Sequence, residues 1–127
     1  MSDLFLAASL GQSETCQKLV QGGIDVNSQS EMNGWTALHV AAGKGQVEVI
    51  KALIALGATV DHPDKVGFTP LMYTVDKKKT GALSALLEAG VNVNAQDRDG
   101  LAALHYAAYS GNKEGVQLLL NASADKV

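Results

Sequence analysis

The sequence predicts an all-α solenoid, a single domain over 1–127 built of four stacked helix-loop-helix units at approximately 1–33, 34–66, 67–99 and 100–127. Three observations predict it. First, GWTALHVAAGKGQVEVIKALIALGATVD from Gly34, GFTPLMYTVDKKKTGALSALLEAGVNVN from Gly67 and GLAALHYAAYSGNKEGVQLLLNASADKV from Gly100 are versions of one segment, and their starts lie 33 residues apart. Second, apolar residues inside each copy recur at helical spacing and then stop at a loop. Third, a lone helix pair of this length cannot bury its own apolar face, so the copies must stack and share a continuous core.

The first copy is degenerate. Ala7-Ala8 and Gly11 match Ala41-Ala42 and Gly45 at an offset of 34, as Leu19-Val20 match Leu53-Ile54, so one extra residue sits between Asn27 and Gly34. Its polar Asp3, Gln12, Ser13 and Glu14 read as a solvent-tolerant end of the array. In the second copy Thr36 stands as a helix N-cap, and Val49-Ile50 and Leu53-Ile54 share one face of the second helix, with Glu48 and Lys51 outside. Thr69 is the corresponding cap in the third copy, followed by Pro70 at the first helical position, where a missing N–H costs nothing. Gly57 and Gly90 fall where a helix end favours positive φ.

The third copy departs from its neighbours. Thr74-Val75 replaces the Ala-Ala pair, and Lys78 stands where Gly45 and Gly111 stand. A left-handed backbone at Lys78 costs about 1 kcal/mol, and Gly81 near the start of the second helix costs about as much again. This repeat is expected to be the softest part of the array.

Composition narrows the function. Hydrophobic residues at 46% and charged residues at 18% are ordinary for a globular domain. No apolar run approaches the roughly 18 residues of a membrane span, so no membrane insertion is expected. The opening MSDLFLAASLGQ lacks a basic segment ahead of its short apolar stretch and reads as folded sequence. The single Cys16 cannot form an internal disulfide, which agrees with a cytoplasmic or nuclear location, and beside Leu19 and Val20 it reads as a core thiol. With a net charge of −3 and no basic half, the chain lacks the attraction to phosphate backbones that nucleic-acid binding draws on.

The 33-residue period with TALHVAA, FTPLMY and ALHYAA, each followed by a second helix and a V-N/D segment, resembles the ankyrin repeat family over essentially the whole chain. The layout, with Pro63-Asp64-Lys65 ahead of Thr69-Pro70-Leu71, is similar to small four-repeat ankyrin proteins of the myotrophin type, although loop segments of this kind recur across the family and name no partner. The resemblance implies a β-hairpin-like loop projecting from each helix pair, and a concave face of loop tips and first helices that grips another protein. It also implies that His39 and His105, matching the family's T-P-L-H histidine, bond to loop backbone and tie neighbouring repeats; Met72 replaces that histidine in the third copy.

At the positions that the family leaves variable on this face, the chain carries Met32, Trp35, Phe68, Leu101 and Tyr109, with Lys44, Lys65, Lys77, Arg98 and Asp99 around them. Aromatic and apolar anchors inside a charged rim have the composition of an interaction surface. Trp35 and Phe68 hold equivalent loop positions and are expected side by side, with truncation of either weakening a complex while barely altering the fold. The Asp61-His62-Pro63-Asp64 cluster is too common on loops to indicate a metal, Lys77-Lys78-Lys79 reads as a solvated turn with contact to an acidic partner as the alternative, and Asn121-Ala122-Ser123 as a chance sequon.

The polar positions repeat along a row and do not converge, so neither catalysis nor a cofactor is expected. The reading is a monomeric, non-catalytic adaptor, scaffold or inhibitor. The alternative is an N-terminal recognition domain of a longer protein, compatible with an ending at Val127, the point matching Asp61 and Asn94.

Overall fold

In the computed structural model, which describes residues 3–124, the predicted pairs form as α1 (Asp3–Ser9) with α2 (Ser13–Gln21), α3 (Ala37–Lys44) with α4 (Val47–Ala55), α5 (Pro70–Asp76) with α6 (Thr80–Glu88), and α7 (Ala103–Tyr109) with α8 (Lys113–Ala124). Met1 and the Asp125 to Val127 end of the fourth copy lie outside the described residues. The first helices α1, α3, α5 and α7 contact one another in a row, and α2, α4, α6 and α8 form a second row behind them. Between the rows lie Leu38, Ile50, Leu53, Leu71, Leu83 and Leu86, all fully buried, and each repeat contributes to its neighbour's core. Cys16 is buried in the same core, and desolvation pushes its thiol pKa up, so it packs as a small apolar residue.

Helix ends follow the sequence. Thr36 has the extended backbone of a cap, and its hydroxyl accepts from the His39 amide. Thr69 has the same backbone but makes no side-chain cap bond; the Met72 amide donates to the Thr69 carbonyl at 3.1 Å instead. Lys78 adopts φ +56 at the α5–α6 turn, where Gly45 and Gly111 take +74 and +68. Its exposed side chain makes no bond among the described residues to offset the strain, so Lys78→Gly is expected to raise the unfolding free energy by about 1 kcal/mol, read as a higher urea midpoint at an unchanged slope. Gly81 has a packing reason: a Cβ there would come within 3.2 Å of Val47 Cγ2, so the glycine lets α6 approach α4.

Two side chains clamp a first helix to the next pair, α1 to the start of α4 and α5 to the start of α8. Gln46 Nε2 donates to the Ser9 carbonyl at 2.9 Å, and Asn112 Nδ2 donates to the Val75 carbonyl at 3.2 Å while its Oδ1 accepts from Gly115 N–H. Lys79 holds the equivalent place in the third repeat, and its stem lies over Gly45 instead.

The hairpin expectation takes a reduced form. Among the described residues no strand forms, but backbone bonds close each loop tip: Ser30 N–H to Trp35 O and Gly34 N–H to Ser30 O, both at 2.8 Å, then Asp64 N–H to Phe68 O at 2.9 Å with Gly67 N–H to Asp64 O at 3.0 Å, and Asp97 N–H to Leu101 O at 2.9 Å with Gly100 N–H to Asp97 O at 3.0 Å. In each tip one of these bonds joins its ends and the other lies inside the turn, which leaves no further pair to extend into a ladder. The first tip spans one residue more than the others, as the 34-residue offset requires. Adjacent tips are joined by Lys65 N–H to Asn33 O at 2.9 Å and Arg98 N–H to Val66 O at 3.4 Å. At the far end of the loops Asn27 Oδ1 accepts from Thr59 N–H, and the Asp61 carboxylate accepts from Asn92 N–H.

Candidate functional site

A buried carboxylate builds the loop that carries the candidate face. Asp64 Oδ1 accepts from the backbone N–H groups of Val66 and Phe68 at 3.0 and 2.9 Å, which shapes the second tip. Its Oδ2 accepts from Trp35 Nε1 at 3.1 Å and from the Tyr73 hydroxyl at 2.5 Å, so one side chain joins the first tip, the second tip and α5. Asp97 repeats the design one unit on, accepting from Asp99 and Leu101 N–H and from the Tyr106 hydroxyl. Desolvation pushes the Asp97 carboxyl up, but the Tyr106 hydroxyl and the two amides outweigh it and hold its pKa below the usual carboxylate value. Burial and then the bond to Asp97 push the Tyr106 hydroxyl up to about 12. Tyr73 is raised for the same reasons, burial first and Asp64 second.

His39 supplies the tie that the family resemblance implies. Its Nδ1 accepts from Thr36 N–H at 3.1 Å, so the ring proton sits on Nε2 and donates to the Phe68 carbonyl at 2.9 Å. His105 receives the equivalent bond from Ala102 N–H at 2.9 Å; no following loop lies beside it among the described residues. Desolvation lowers the His39 pKa more than the Phe68 carbonyl and Asp64 raise it. Because the folded value lies below the ordinary 6.5, the unfolded chain takes up a proton first as pH falls. Stability is therefore complete above the unfolded value and declines as pH drops through it toward the folded one. The denaturation midpoint is expected to fall between about pH 7 and 5, and His39→Met is expected to flatten that dependence.

Four rings run along this framework. Trp35 meets Tyr73 edge-on at 5.6 Å, Tyr73 meets Phe68 at 5.2 Å, and Phe68 meets Tyr106 at 5.0 Å. Trp35 and Phe68 are thus neighbours through Tyr73. Both are half-buried, and Phe68 packs on the core. The expectation that truncating either barely alters the fold does not hold, because each removes a ring contact and Trp35→Ala also removes a donor to Asp64.

The rest of the face is open. A hollow of about 280 Å³ is lined by Trp35, Val40, Gly43, Lys44, Tyr73 and Lys77, with His39 at its floor. A second of about 420 Å³ lies beside it, between α1 and the first tip, lined by Phe5, Ser9, Met32 and Asn33 among others. Trp35, Val40 and Lys44 line both, so the two form one groove across α1, α3 and α5. Of the ten residues expected on the face, the structure brings together Met32, Trp35, Lys44 and Lys77 in this groove. Met32 is 90% and Tyr109 85% exposed, the latter on the far end of α7 beside His105 and Ala108. Lys65, Arg98 and Asp99 are exposed on the second and third tips, where the Lys65 ammonium donates to the Glu31 carbonyl; Leu101 is half-buried and, like Phe68, lines neither hollow.

Sequence reasoning passed over Asp64, Asp97, Tyr73, Tyr106 and Val40. The first four carry a signal it could have used, since Asp64 and Asp97 lie 33 residues apart and so do Tyr73 and Tyr106. Among the described residues no three His, Cys, Asp or Glu side chains are grouped to hold a metal, and no helix is long and apolar enough to cross a membrane.

A family model for ankyrin repeats in three copies matches residues 4–97 and 56–127. Among curated proteins, the mouse Ankyrin repeat domain-containing protein 40 is 50% identical over 52 residues, 41% of this chain and 14% of that protein. The rat Ankyrin repeat and SAM domain-containing protein 6 is 42% identical over 66 residues, 52% of this chain and 8% of that protein. The mouse 2-5A-dependent ribonuclease is 34% identical over 71 residues, 56% of this chain and 10% of its own length. The chain thus matches only a small part of each relative. Ankyrin repeats in general act as protein–protein interaction modules and are typically non-catalytic. With matches that together run from residue 4 to residue 127, and with the helix pairs and loop tips described above, the chain belongs to the ankyrin repeat family.

Proposed function

We propose that this chain is a non-catalytic interaction module that binds a partner protein through the groove and the loop tips, as an adaptor, scaffold or inhibitor. The observation that carries the reading is the groove itself. It is continuous across three first helices, apolar in its lining, edged by lysines and bounded by the freely exposed Met32. That is the chemistry of an interface centre with a polar rim. The polar groups nearby, buried His39 and Asp64 and half-buried Tyr73, are each committed to bonds that hold the tips in place.

Because Trp35 and Phe68 hold structure, the test uses residues that do not. Met32→Ala with Tyr109→Ala removes two side chains that are almost fully exposed, so the melting temperature is expected to stay within about 2 °C while retention of a cognate protein from lysate falls at least about tenfold. Retention unchanged in the double variant would remove the face from the reading, and no specific retention by the wild-type chain would remove the interaction role.

A second reading is supported by the relatives. The short matched portions of the Ankyrin repeat and SAM domain-containing protein 6 and of the 2-5A-dependent ribonuclease suit a recognition unit within a longer protein. The same groove would then bind that protein's partner or substrate.

A further inference from the structure

Gly43 is a glycine without a conformational or packing reason. It lies inside α3 with no positive φ, and nothing comes within 4 Å of the place a Cβ would occupy. Glycine inside a helix is less stable than almost any other residue there. The other copies put Ser9, Asp76 and Tyr109 at this position. In α3 the missing side chain opens the smaller hollow, between Lys44 at the end of α3 and Lys77 just past α5.

Those two lysines are also unusual. Both are exposed, and neither ammonium has an ion-pair or hydrogen-bond partner among the described residues. The stem of Lys79 lies against Gly45, the residue after Lys44, but Lys79 lines neither hollow, so the edge is made by the two lysines. The chain as a whole is acidic, at −3, so this cationic edge is a local contrast rather than part of a basic surface. The wall between the lysines is apolar, formed by Trp35, Val40 and the Tyr73 ring.

Resting on the interaction reading above, we infer that the groove takes an acidic peptide segment of the partner, with a carboxylate between Lys44 and Lys77 over Gly43 and a neighbouring apolar side chain in the larger hollow against Met32 and Trp35. The charge pattern gives the carboxylate, since unpaired ammonium groups at the rim of a low-dielectric hollow attract an anion more strongly than they would in open water. The apolar lining gives the second part, and the absence of a wider basic surface favours a peptide over nucleic acid.

The test is a selection of random peptides displayed on phage against the wild-type chain, followed by anisotropy titration of the enriched peptides. The enriched set is expected to place Asp or Glu beside an aliphatic or aromatic residue. Gly43→Leu fills the hollow with a better helix former, so it is expected to melt at or above the wild-type temperature yet bind about tenfold more weakly or worse. Lys44→Glu with Lys77→Glu is expected to lose the same peptides and to bind their Lys-for-Glu counterparts, a rescue that depends on no stability change. Three results would overturn the inference: no enrichment, an enriched set without acidic residues, or undiminished binding to both variants. If lysate proteins are retained equally by the wild type and both variants, the acidic-segment inference fails while the interaction role stands. If the wild type retains none, both fail.

Discussion

Asp64→Ala is expected to lower the unfolding free energy by about 3 kcal/mol, because it removes a buried carboxylate and leaves its former donors without an acceptor, apart from the Trp35 indole, which also donates to the Tyr73 hydroxyl at 3.1 Å. Those donors are the amides of Val66 and Phe68, the Trp35 indole and the Tyr73 hydroxyl. For a domain of this size the melting temperature would drop by roughly 10 °C. Trp35 is the chain's only tryptophan, so its emission reports this junction alone, and a red shift under native conditions would show the first and second tips separating before global unfolding. The matched variant Asp97→Ala loses two amides and the Tyr106 hydroxyl but no indole, so a smaller loss is expected there. Equal losses in the two variants would show that the bond between Trp35 and Asp64 contributes nothing.

Leu83→Ala is expected to cost about 3 kcal/mol as well, through a different route. Leu83 is fully buried on α6, which contacts α4 on one side and α8 on the other. A cavity there weakens two neighbour interfaces, and in an array whose stability is a sum of unit and interface terms an interior weakness divides the cooperative unit. The third repeat already carries the Lys78 strain, so the division is expected to fall there. Hydrogen exchange would show slow amides surviving in α3 and α4 while those in α6 and α8 exchange together. A single transition, shared by Trp35 emission and far-ultraviolet dichroism at every denaturant concentration, would contradict this.

The repeat architecture was legible because it rests on local, periodic information. The 33-residue interval, the cap at Thr36, the cap position of Thr69, the positive φ at Lys78 and the buried Cys16 all follow from residue type and spacing, and the structure has each of them, Thr69 with the backbone of a cap but without its side-chain bond. The face was only partly legible. Exposure of Met32 and Tyr109 agrees with a surface position, but Trp35 and Phe68 looked alike in sequence and differ in structure: one indole N–H finds a carboxylate 29 residues away, while the phenyl ring lies between two tyrosines. Those distant partners are set by how successive loops register, which no window shorter than a repeat contains. Gly43 was invisible for the opposite reason, since its significance is the space beside it.

Met72 makes the junctions unequal. Between the second unit and the loop that follows it, the imidazole of His39 and the indole of Trp35 each reach across; one unit further along, the thioether and the phenyl ring at the same places donate nothing. Stretched from its two ends, the molecule would open first on the loop side of this joint, with the Asn112 bond to Val75 left as the pivot behind it. The Trp35 hollows would stay whole, and the α7–α8 pair would swing like a door carrying Tyr109, so a ligand spanning both would also be a strap across the hinge.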